Sequence, residues 1–298
     1  MSLIDDITEN QKKFLEAQNI TVDCIKSKSD ETCKYYVKSP QHNLVEPLSN
    51  DDWNQIEKEF NKGKGGELKS KKGNPPNFQA VISSSALCVN NFVPFKKHYT
   101  KLSFLDYSGF DEAHFEQKLR TRLGGTLPHL DFYLASPKVV IGIESKFIEY
   151  FDMQAPNHPI ESPTGGKKNN LEPYRNREKL HYLPKGFHES IIEHYFADDK
   201  PQHLDVAQLI KHTVGLLKNC RGKKPVLVYL YWEPFDPMAD NLFDKHWDEI
   251  EKFKYRIERF IEFVPLSYPR FWKWHENDTL LKEHIHKVRE RYGFSIQS

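Results

Sequence analysis

The segment from residue 129 to residue 147 constrains the fold of this chain more than any other stretch. Two runs of alternating apolar residues flank the turn-like sequence Ser136-Pro137-Lys138, so the segment predicts a β-hairpin. If the tip of the turn lies directly after Pro137, Asp131 faces Glu144 across the hairpin. We therefore expect two carboxylates side by side on one face of a strand pair.

The two faces of this hairpin differ in chemistry. Lys146 lies two residues beyond Glu144 and therefore shares the face of the carboxylates. Gly142 falls opposite Tyr133 on the same face and leaves room beside the charges. The other face is wholly apolar and carries Phe132, Leu134, Ile141 and Ile143. One face is thus predicted to be buried and the other to hold a polar site.

The charged face admits two interpretations. Two adjacent carboxylates repel each other, and a divalent cation such as Mg²⁺, which takes oxygen ligands, would relieve that repulsion. A carboxylate pair that holds a metal and leaves open positions is suited to phosphoryl transfer. The alternative is a solvated strand face with ordinary cross-strand ion pairs. Because the run 139–143 is too apolar for an edge strand, we favour a metal site in a cleft.

The spacing of these residues resembles a known nuclease motif. Asp131 is followed by twelve residues and then by Glu144-Ser145-Lys146. This pattern is similar to that of the PD-(D/E)xK nuclease superfamily, although the leading Pro-Asp is degenerate, with Pro128 standing before His129. The resemblance implies an α/β restriction endonuclease-like fold, with a central mixed β-sheet flanked by helices, like that of type II restriction enzymes. It also implies a Mg²⁺-dependent nuclease acting on DNA, with Mn²⁺ as a substitute metal.

The resemblance implies roles for single residues as well. Asp131 and Glu144 would bind the metal, with the backbone carbonyl of Ser145 as a third ligand. Lys146 would orient the attacking water and stabilise negative charge on the phosphate oxygens. Glu116 would hold a second metal or a water. His129 shares the face of Asp131 and could contact phosphate, although a lone histidine is more often structural.

Glu116 lies in a segment, residues 108–123, that predicts a helix. A capping signal, an apolar stripe and Gly124 at the end support this interpretation. In the resembled superfamily such a helix often presents a glutamate to the metal; Glu116 is the first choice for this role and Glu112 the second. The alternative is a solvated carboxylate paired with a nearby basic residue. A helix here leaves little room for the first core strand, which would be very short or come from residues 78–95.

Another helix is predicted over residues 204–218. It places Gln208 and His212 one turn apart, which resembles the Gln-xxx-Tyr helix of the RecB-like branch of the superfamily, with His in place of Tyr. In that branch the helix lies beside the active site, and the Gln supports substrate or lysine. His212 could instead be a surface histidine. The predicted strand 226–232 follows, in the helix-then-strand order that the resembled fold requires.

Two basic loops and a serine run lie outside these elements. Residues 62–73 are rich in Gly and Lys, and residues 151–185 carry further Lys and Arg side chains. Each loop is either a solvated surface loop, which we favour for the first, or a contact for the DNA backbone. The run Ser83-Ser84-Ser85 is interpreted as a packed helix start, because no Gly-x-Ser-x-Gly nucleophile motif is present.

Composition limits the class of protein. The chain has 43 basic and 42 acidic residues and a net charge of +1, so a nucleic-acid-binding surface has to be local. The cysteines form no CxxC pair, and this spacing predicts free thiols in a reducing compartment. The first residues lack the pattern of a signal peptide, and the run 226–232 is too short to span a bilayer. We therefore expect a cytoplasmic protein without membrane contact. The four cysteines are Cys24, Cys33, Cys88 and Cys220.

The sequence predicts that all 298 residues form a single domain. Its core would span about residues 108–232, with an N-terminal extension of residues 1–107 and C-terminal helices in residues 240–298. An aromatic turn is predicted at residues 263–274. Further helices are predicted at residues 3–18, 49–60, 241–262 and 277–291.

Three functional classes remain open at this point. They are a metal-dependent nuclease, a non-catalytic nucleic-acid-binding or partner-binding member of the same fold, and an unrelated α/β binding protein. The intact Asp131, Glu144 and Lys146 favour the nuclease, because a degenerate member typically loses one of them. Restriction-like enzymes often dimerise to cut both strands, so the resemblance also suggests a homodimer.

Overall fold

The computed structural model describes residues 2–26, 33–62, 66–70, 73–124, 127–151, 160–161, 167–168, 171–197, 201–236 and 241–296. Within these ranges the chain forms eight α-helices and nine β-strands in an α/β arrangement. The helices are α1 (Leu3–Ala17), α2 (Asn50–Lys62), α3 (Ser84–His98), α4 (His194–Ala197), α5 (Val206–Asn219), α6 (Asn241–Ile257), α7 (Tyr268–His275) and α8 (Lys282–Tyr292). The strands are β1 (Val22–Lys26), β2 (Cys33–Val37), β3 (Glu112–Lys118), β4 (His129–Ala135), β5 (Val139–Lys146), β6 (Ile160–Glu161), β7 (Lys167–Lys168), β8 (Lys224–Tyr231) and β9 (Glu262–Ser267).

Five strands form a central mixed sheet in the order β3-β4-β5-β8-β9. The first three are antiparallel neighbours, and β5, β8 and β9 run parallel. α3 packs against β3, β4 and β5, while α5 contacts β5 and β8. β5 is accordingly buried along nearly its whole length, as expected for a central strand with helices on the sheet faces. This helix-flanked mixed sheet is the predicted restriction endonuclease-like core.

The predicted hairpin is confirmed as β4 and β5. Phe132 pairs with Ile143 and Tyr133 with Gly142, which is the register that the turn at Pro137 predicts. The hydroxyl of Ser136 accepts hydrogen bonds from the backbone N–H groups of the turn, at 3.2 Å each. The turn chemistry and the alternation of apolar residues thus agree on one register.

The prediction of a helix over residues 108–123 is wrong, because residues 112–118 form strand β3. Phe115 is buried, with its ring 4.8 Å from that of Phe132 on β4 and 6.3 Å from that of Phe60 on α2. Packing against the sheet therefore overrides the helical spacing of the apolar residues. β3 is also the first core strand for which the sequence left little room.

α3 occupies most of the segment that the sequence offered as an alternative first strand. It begins at Ser84, and the hydroxyl of the N-cap Ser83 accepts the N–H of Ala86. The helix is held on the sheet by Phe92, whose ring stacks on that of Phe132 with centroids 4.7 Å apart. The interpretation of the serine run as a packed helix start is confirmed, and the strand alternative for residues 78–95 is wrong.

The C-terminal part departs from prediction between residues 258 and 275. α6 ends at Ile257, and the segment that predicts an aromatic turn forms strand β9 and helix α7 instead. Phe263 and Leu266 of β9 are buried, and β9 pairs in parallel with β8. The sheet therefore extends beyond residues 108–232. The predicted helices near both termini are confirmed as α1, α2 and α8, and the strand at 226–232 as β8.

Two of the four cysteines are bonded to each other, contrary to the prediction of free thiols. β1 and β2 form an antiparallel hairpin, which brings the Cα atoms of Cys24 and Cys33 to 5.6 Å, and a disulfide joins them. Cys88 and Cys220 are free. Within the ranges given above, no helix is long and apolar enough to cross a membrane.

Candidate active site

At the open end of the β4–β5 hairpin, the side-chain carboxylate of Asp131 on β4 accepts a hydrogen bond from the backbone of β5. The backbone ladder stops at Phe132 and Ile143. Beyond this pair, the backbone N–H of Ser145, two residues after Ile143, donates a 2.7 Å hydrogen bond to Oδ2 of Asp131. On the other side of β4, the ladder with β3 skips Asp131 and Glu116. The strands separate around Asp131, and the predicted site residues converge at this gap.

The carboxylate of Glu144 is buried between two basic side chains. Its Oε1 lies 2.7 Å from Nζ of Lys146. Its Oε2 lies 2.8 Å from Nε2 of His212, in a close contact that is poorly aligned for a hydrogen bond. Burial would raise the pKa of Glu144, but Lys146 and His212 outweigh it and lower that pKa to about 2. Glu144 is therefore ionised at neutral pH.

The ammonium group of Lys146 has a second partner on α5. It donates a 2.7 Å hydrogen bond to Oε1 of Gln208. Burial would lower the pKa of Lys146, but the nearby carboxylates, with Glu144 foremost, raise it above its ordinary value. Lys146 therefore stays charged, which suits it to contact a phosphate oxygen as a cation rather than to accept a proton.

Asp131 carries the opposite shift from Glu144. Burial, followed by the negative charges of Glu144 and Glu116, raises the pKa of Asp131 well above its ordinary value. Lys146 offsets only part of this effect. Asp131 thus lies near two further carboxylates, Glu144 and Glu116, and a hard cation with a preference for oxygen ligands would relieve the excess of negative charge.

Glu116 reaches the site from β3 through a strained backbone conformation. Its φ is +52°, in the left-handed region that residues other than glycine rarely adopt. Its Oε2 lies 3.4 Å from Nδ1 of His129. Strain of this kind persists only where surrounding structure enforces it, and it clusters at functional sites. Glu112, the second choice for this role, is exposed and lies beside His114 instead.

α5 presents both Gln208 and His212 to the site. Oδ1 of Asp205, the N-cap of this helix, accepts the N–H of Gln208 at 2.9 Å and so holds the first turn. His212 is 1% exposed and is therefore not the surface histidine that the sequence allowed. Sequence reasoning missed Asp205, although Asp205 followed three residues later by Gln208 fits a capping-box signature.

The site opens into one cavity of about 1180 Å³. Ser83, Ser84 and Ser85 at the start of α3 contribute to its lining, and residues of α1 and β2 supply further walls. His212 lies behind this lining, in contact with Glu144. The predicted site residues that line the cavity are Glu116, His129, Asp131, Glu144, Ser145, Lys146 and Gln208.

Of the two basic loops, the first contributes residues to the lining of this cavity, whereas Arg175 of the second does not. Gly66 and Glu67 of the first loop line it, while residues 63–65 and 71–72 lie outside the described ranges. In the second loop, Arg175 lies 3.1 Å from Glu193 in a partly exposed ion pair, and neither residue lines the cavity. For this part of the second loop the contacts favour a solvated surface; residues 152–159, 162–166 and 169–170 lie outside the described ranges.

The donor atoms suit a hard cation. Across the described ranges, no group of three or more His, Cys, Asp and Glu side chains has the spacing of a metal site. Mg²⁺, however, is usually held by one or two carboxylates and completes its shell with water and substrate phosphates. Asp131 and Glu144 provide such a pair, beside a cavity with room for those further ligands.

Comparisons with known proteins bear on the family. Neither curated proteins nor solved structures gave a significant match. A family model described as "Restriction Endonuclease associating with ARP" matches residues 11–293, which is nearly the whole chain. The match agrees with the restriction endonuclease-like fold that the hairpin motif predicted. The chain belongs to the family of restriction endonucleases that associate with ARP.

Proposed function

We propose that this chain is a Mg²⁺-dependent nuclease that hydrolyses phosphodiester bonds of DNA. The observation that carries the proposal is the convergence of Asp131, Glu144 and Lys146 on one cavity, with Glu116 beside them. Two carboxylates and a lysine of this kind supply metal ligands and a positive charge for a phosphate. The membership in a restriction endonuclease family supports the same reaction class.

The proposed roles follow from the contacts of each side chain. Asp131 and Glu144 would hold the metal, with the backbone carbonyl of Ser145 as a third ligand. Bound Mg²⁺ would polarise the scissile phosphate and lower the pKa of a water. Lys146 stabilises negative charge that develops on the phosphate oxygens. Gln208 holds the ammonium group in place for this task.

The remaining site residues have supporting roles in this proposal. His212 contacts the oxygen of Glu144 that faces away from Lys146, and so orients that carboxylate. Glu116 lies close enough to raise the pKa of Asp131, which suits it to hold a second cation or a water. His129 lines the cavity next to Glu116 and would contact phosphate.

Cleavage of plasmid DNA tests the proposal. We expect the wild-type protein to cut plasmid with Mg²⁺ or Mn²⁺ and to lose this activity in EDTA. Lys146→Ala should lower the rate roughly 100- to 1000-fold, as expected when one group that stabilises the transition state is removed. Lys138→Ala is the matched control, because Lys138 is exposed on the turn of the same hairpin.

Equal cleavage by the wild type and by Lys146→Ala would contradict the proposed site. No cleavage of any DNA or RNA, together with retained binding, would favour the alternative of a non-catalytic nucleic-acid-binding or partner-binding member of the fold.

We also propose that the chain works together with a protein partner. The description of its family names an association with ARP. Co-expression of the tagged chain with that protein should yield a complex that survives gel filtration, and cleavage should be measured for the complex and for the chain alone. Elution of the two proteins as separate species would contradict this association.

A further inference from the structure

We infer that Tyr268 is a positioning residue for the metal-binding end of β5 and that it acts through Ser145. The inference rests on the proposed function, because it concerns the residues that would hold the cation. Tyr268 is the first residue of α7, directly after β9, and lies far from the nuclease motif in sequence.

Ser145 connects the two faces of the sheet at this point. Its neighbours Glu144 and Lys146 point towards α5, where they contact His212 and Gln208. Because successive strand residues point to opposite faces, the side chain of Ser145 points the other way. There its Oγ lies 2.7 Å from the hydroxyl of Tyr268, and both residues are buried.

The backbone of Ser145 transmits this contact to the site. Its N–H donates to Oδ2 of Asp131, so the orientation of Ser145 determines where that carboxylate is held. Without the Tyr268 hydroxyl, the buried Oγ of Ser145 would lose this partner and the residue would reorient. The hydrogen bond to Asp131 would weaken as a result. Groups that orient metal ligands in this way typically change metal affinity roughly 10- to 100-fold when removed.

The ring of Tyr268 is held independently of its hydroxyl. It packs against the rings of Phe271 and Trp272, with centroids 6.3 Å and 5.9 Å away. Tyr268→Phe keeps this packing and removes only the hydroxyl. The substitution therefore separates the proposed positioning role from a general role of the aromatic ring in the core.

Tyr292→Phe is the matched control. Tyr292 is also buried, and its hydroxyl accepts a 2.9 Å hydrogen bond from Nδ2 of Asn90 rather than contacting Ser145. Each variant thus loses one buried hydroxyl contact. Both should lose a similar amount of thermal stability, whereas only Tyr268→Phe should affect the metal site.

The experiment titrates Mn²⁺ into each protein by calorimetry and measures the Mg²⁺ concentration for half-maximal plasmid cleavage. We expect Tyr268→Phe to bind Mn²⁺ roughly 10- to 100-fold more weakly and to need correspondingly more Mg²⁺. Tyr292→Phe should match the wild type in both measurements. Ser145→Ala should resemble Tyr268→Phe, and the double variant should be no worse than either single one, because both remove the same contact.

Three outcomes would overturn the inference. If Tyr268→Phe binds Mn²⁺ as tightly as the wild type, the inference is wrong. The proposed function is then unaffected, as long as the wild-type protein cleaves DNA. Additive losses in the double variant would show that Tyr268 does not act through Ser145. A wild-type protein that neither binds Mn²⁺ nor cleaves DNA would remove the proposed function and the inference together.

Discussion

At Asp131, burial and the carboxylates of Glu144 and Glu116 act in the same direction, since each raises the pKa of this residue. In the metal-free protein, the folded state therefore holds a proton on Asp131 more tightly than the unfolded chain does. The stability that this contributes is present at low pH and is lost as the pH rises through the raised pKa. A side chain suited to metal binding thus destabilises the metal-free fold at higher pH.

We predict that Asp131→Asn abolishes cleavage and stabilises the metal-free protein. The amide oxygen can still accept the N–H of Ser145, and the neutral side chain removes the repulsion among the carboxylates. At alkaline pH the free energy of unfolding should rise by about 0.5–2 kcal/mol, the range typical of single stabilising substitutions. Urea denaturation over a range of pH measures this gain, which should shrink as the pH falls.

Asp111→Asn is the control for this prediction. Asp111 is an exposed aspartate just before β3 and does not line the cavity, so its substitution should change neither cleavage nor stability. An Asp131→Asn protein that is less stable than the wild type without metal would show that the carboxylates are not under mutual repulsion.

At the scale of elements, α5 packs against β5 at Gly142, which has no side chain. A Cβ added at Gly142 would lie 2.6 Å from Cδ1 of Leu130 and 3.1 Å from Cδ1 of Leu216. The sequence predicts that Gly142 leaves room beside the charges, and these two leucines occupy that room. Because Leu216 belongs to α5, the same packing sets how closely the helix that carries Gln208 approaches the site.

We predict that Gly142→Ala destabilises the protein by about 1–3 kcal/mol, as overpacking of a core typically does. It should also lower the cleavage rate, because the side chain of Leu216 has to shift on the helix that positions Lys146 through Gln208. Thermal unfolding and plasmid cleavage measure the two effects. Gly124→Ala is the control, since an added Cβ there has no neighbour within 4 Å in the described structure. Equal melting temperatures for the two variants would refute the packing argument.

At the scale of the whole molecule, Arg291 joins the two ends of the chain. It is 1% exposed, and its Nε donates to Oε1 of Gln11 on α1 at 2.9 Å. Its Nη1 donates to the backbone oxygen of Asn43 at 2.7 Å, and Nε2 of Gln11 donates to the backbone oxygen of Arg291 at 3.0 Å. These bonds attach α1, which supplies part of the cavity wall, to α8 near the other end of the chain.

We predict that Arg291→Lys costs about 2–4 kcal/mol of unfolding free energy, because an ammonium group cannot reproduce the several directed bonds of a buried guanidinium. Arg289→Lys is the control on the same helix: Arg289 is partly exposed and lies 3.3 Å from Glu276 at the surface. It should change stability little. Urea denaturation compares the two, and equal losses would show that the buried network contributes nothing particular.

The strands show which elements can be predicted from local sequence and which cannot. β4 and β5 could be predicted together because the turn and both alternating runs are adjacent in the chain. β3 carries a pattern that predicts a helix, because Phe115 and Leu119, four residues apart, satisfy the helical and the strand period alike. β9 has no local strand signal, because it is held in the sheet by β8, a partner distant in sequence. The disulfide of Cys24 likewise depends on a hairpin that was not predicted.

The sequence by itself determined the hairpin, its register and the approach of Asp131 to Glu144, because turn chemistry and a period of two residues act over a few neighbours. Only the tertiary structure decided what surrounds these carboxylates. Gln208, His212 and Tyr268 reach the end of β5 from helices on the two faces of the sheet. Burial and charge in the folded chain then raise the pKa of Asp131 and lower that of Glu144. Such effects depend on distances between residues far apart in sequence, which no local pattern contains.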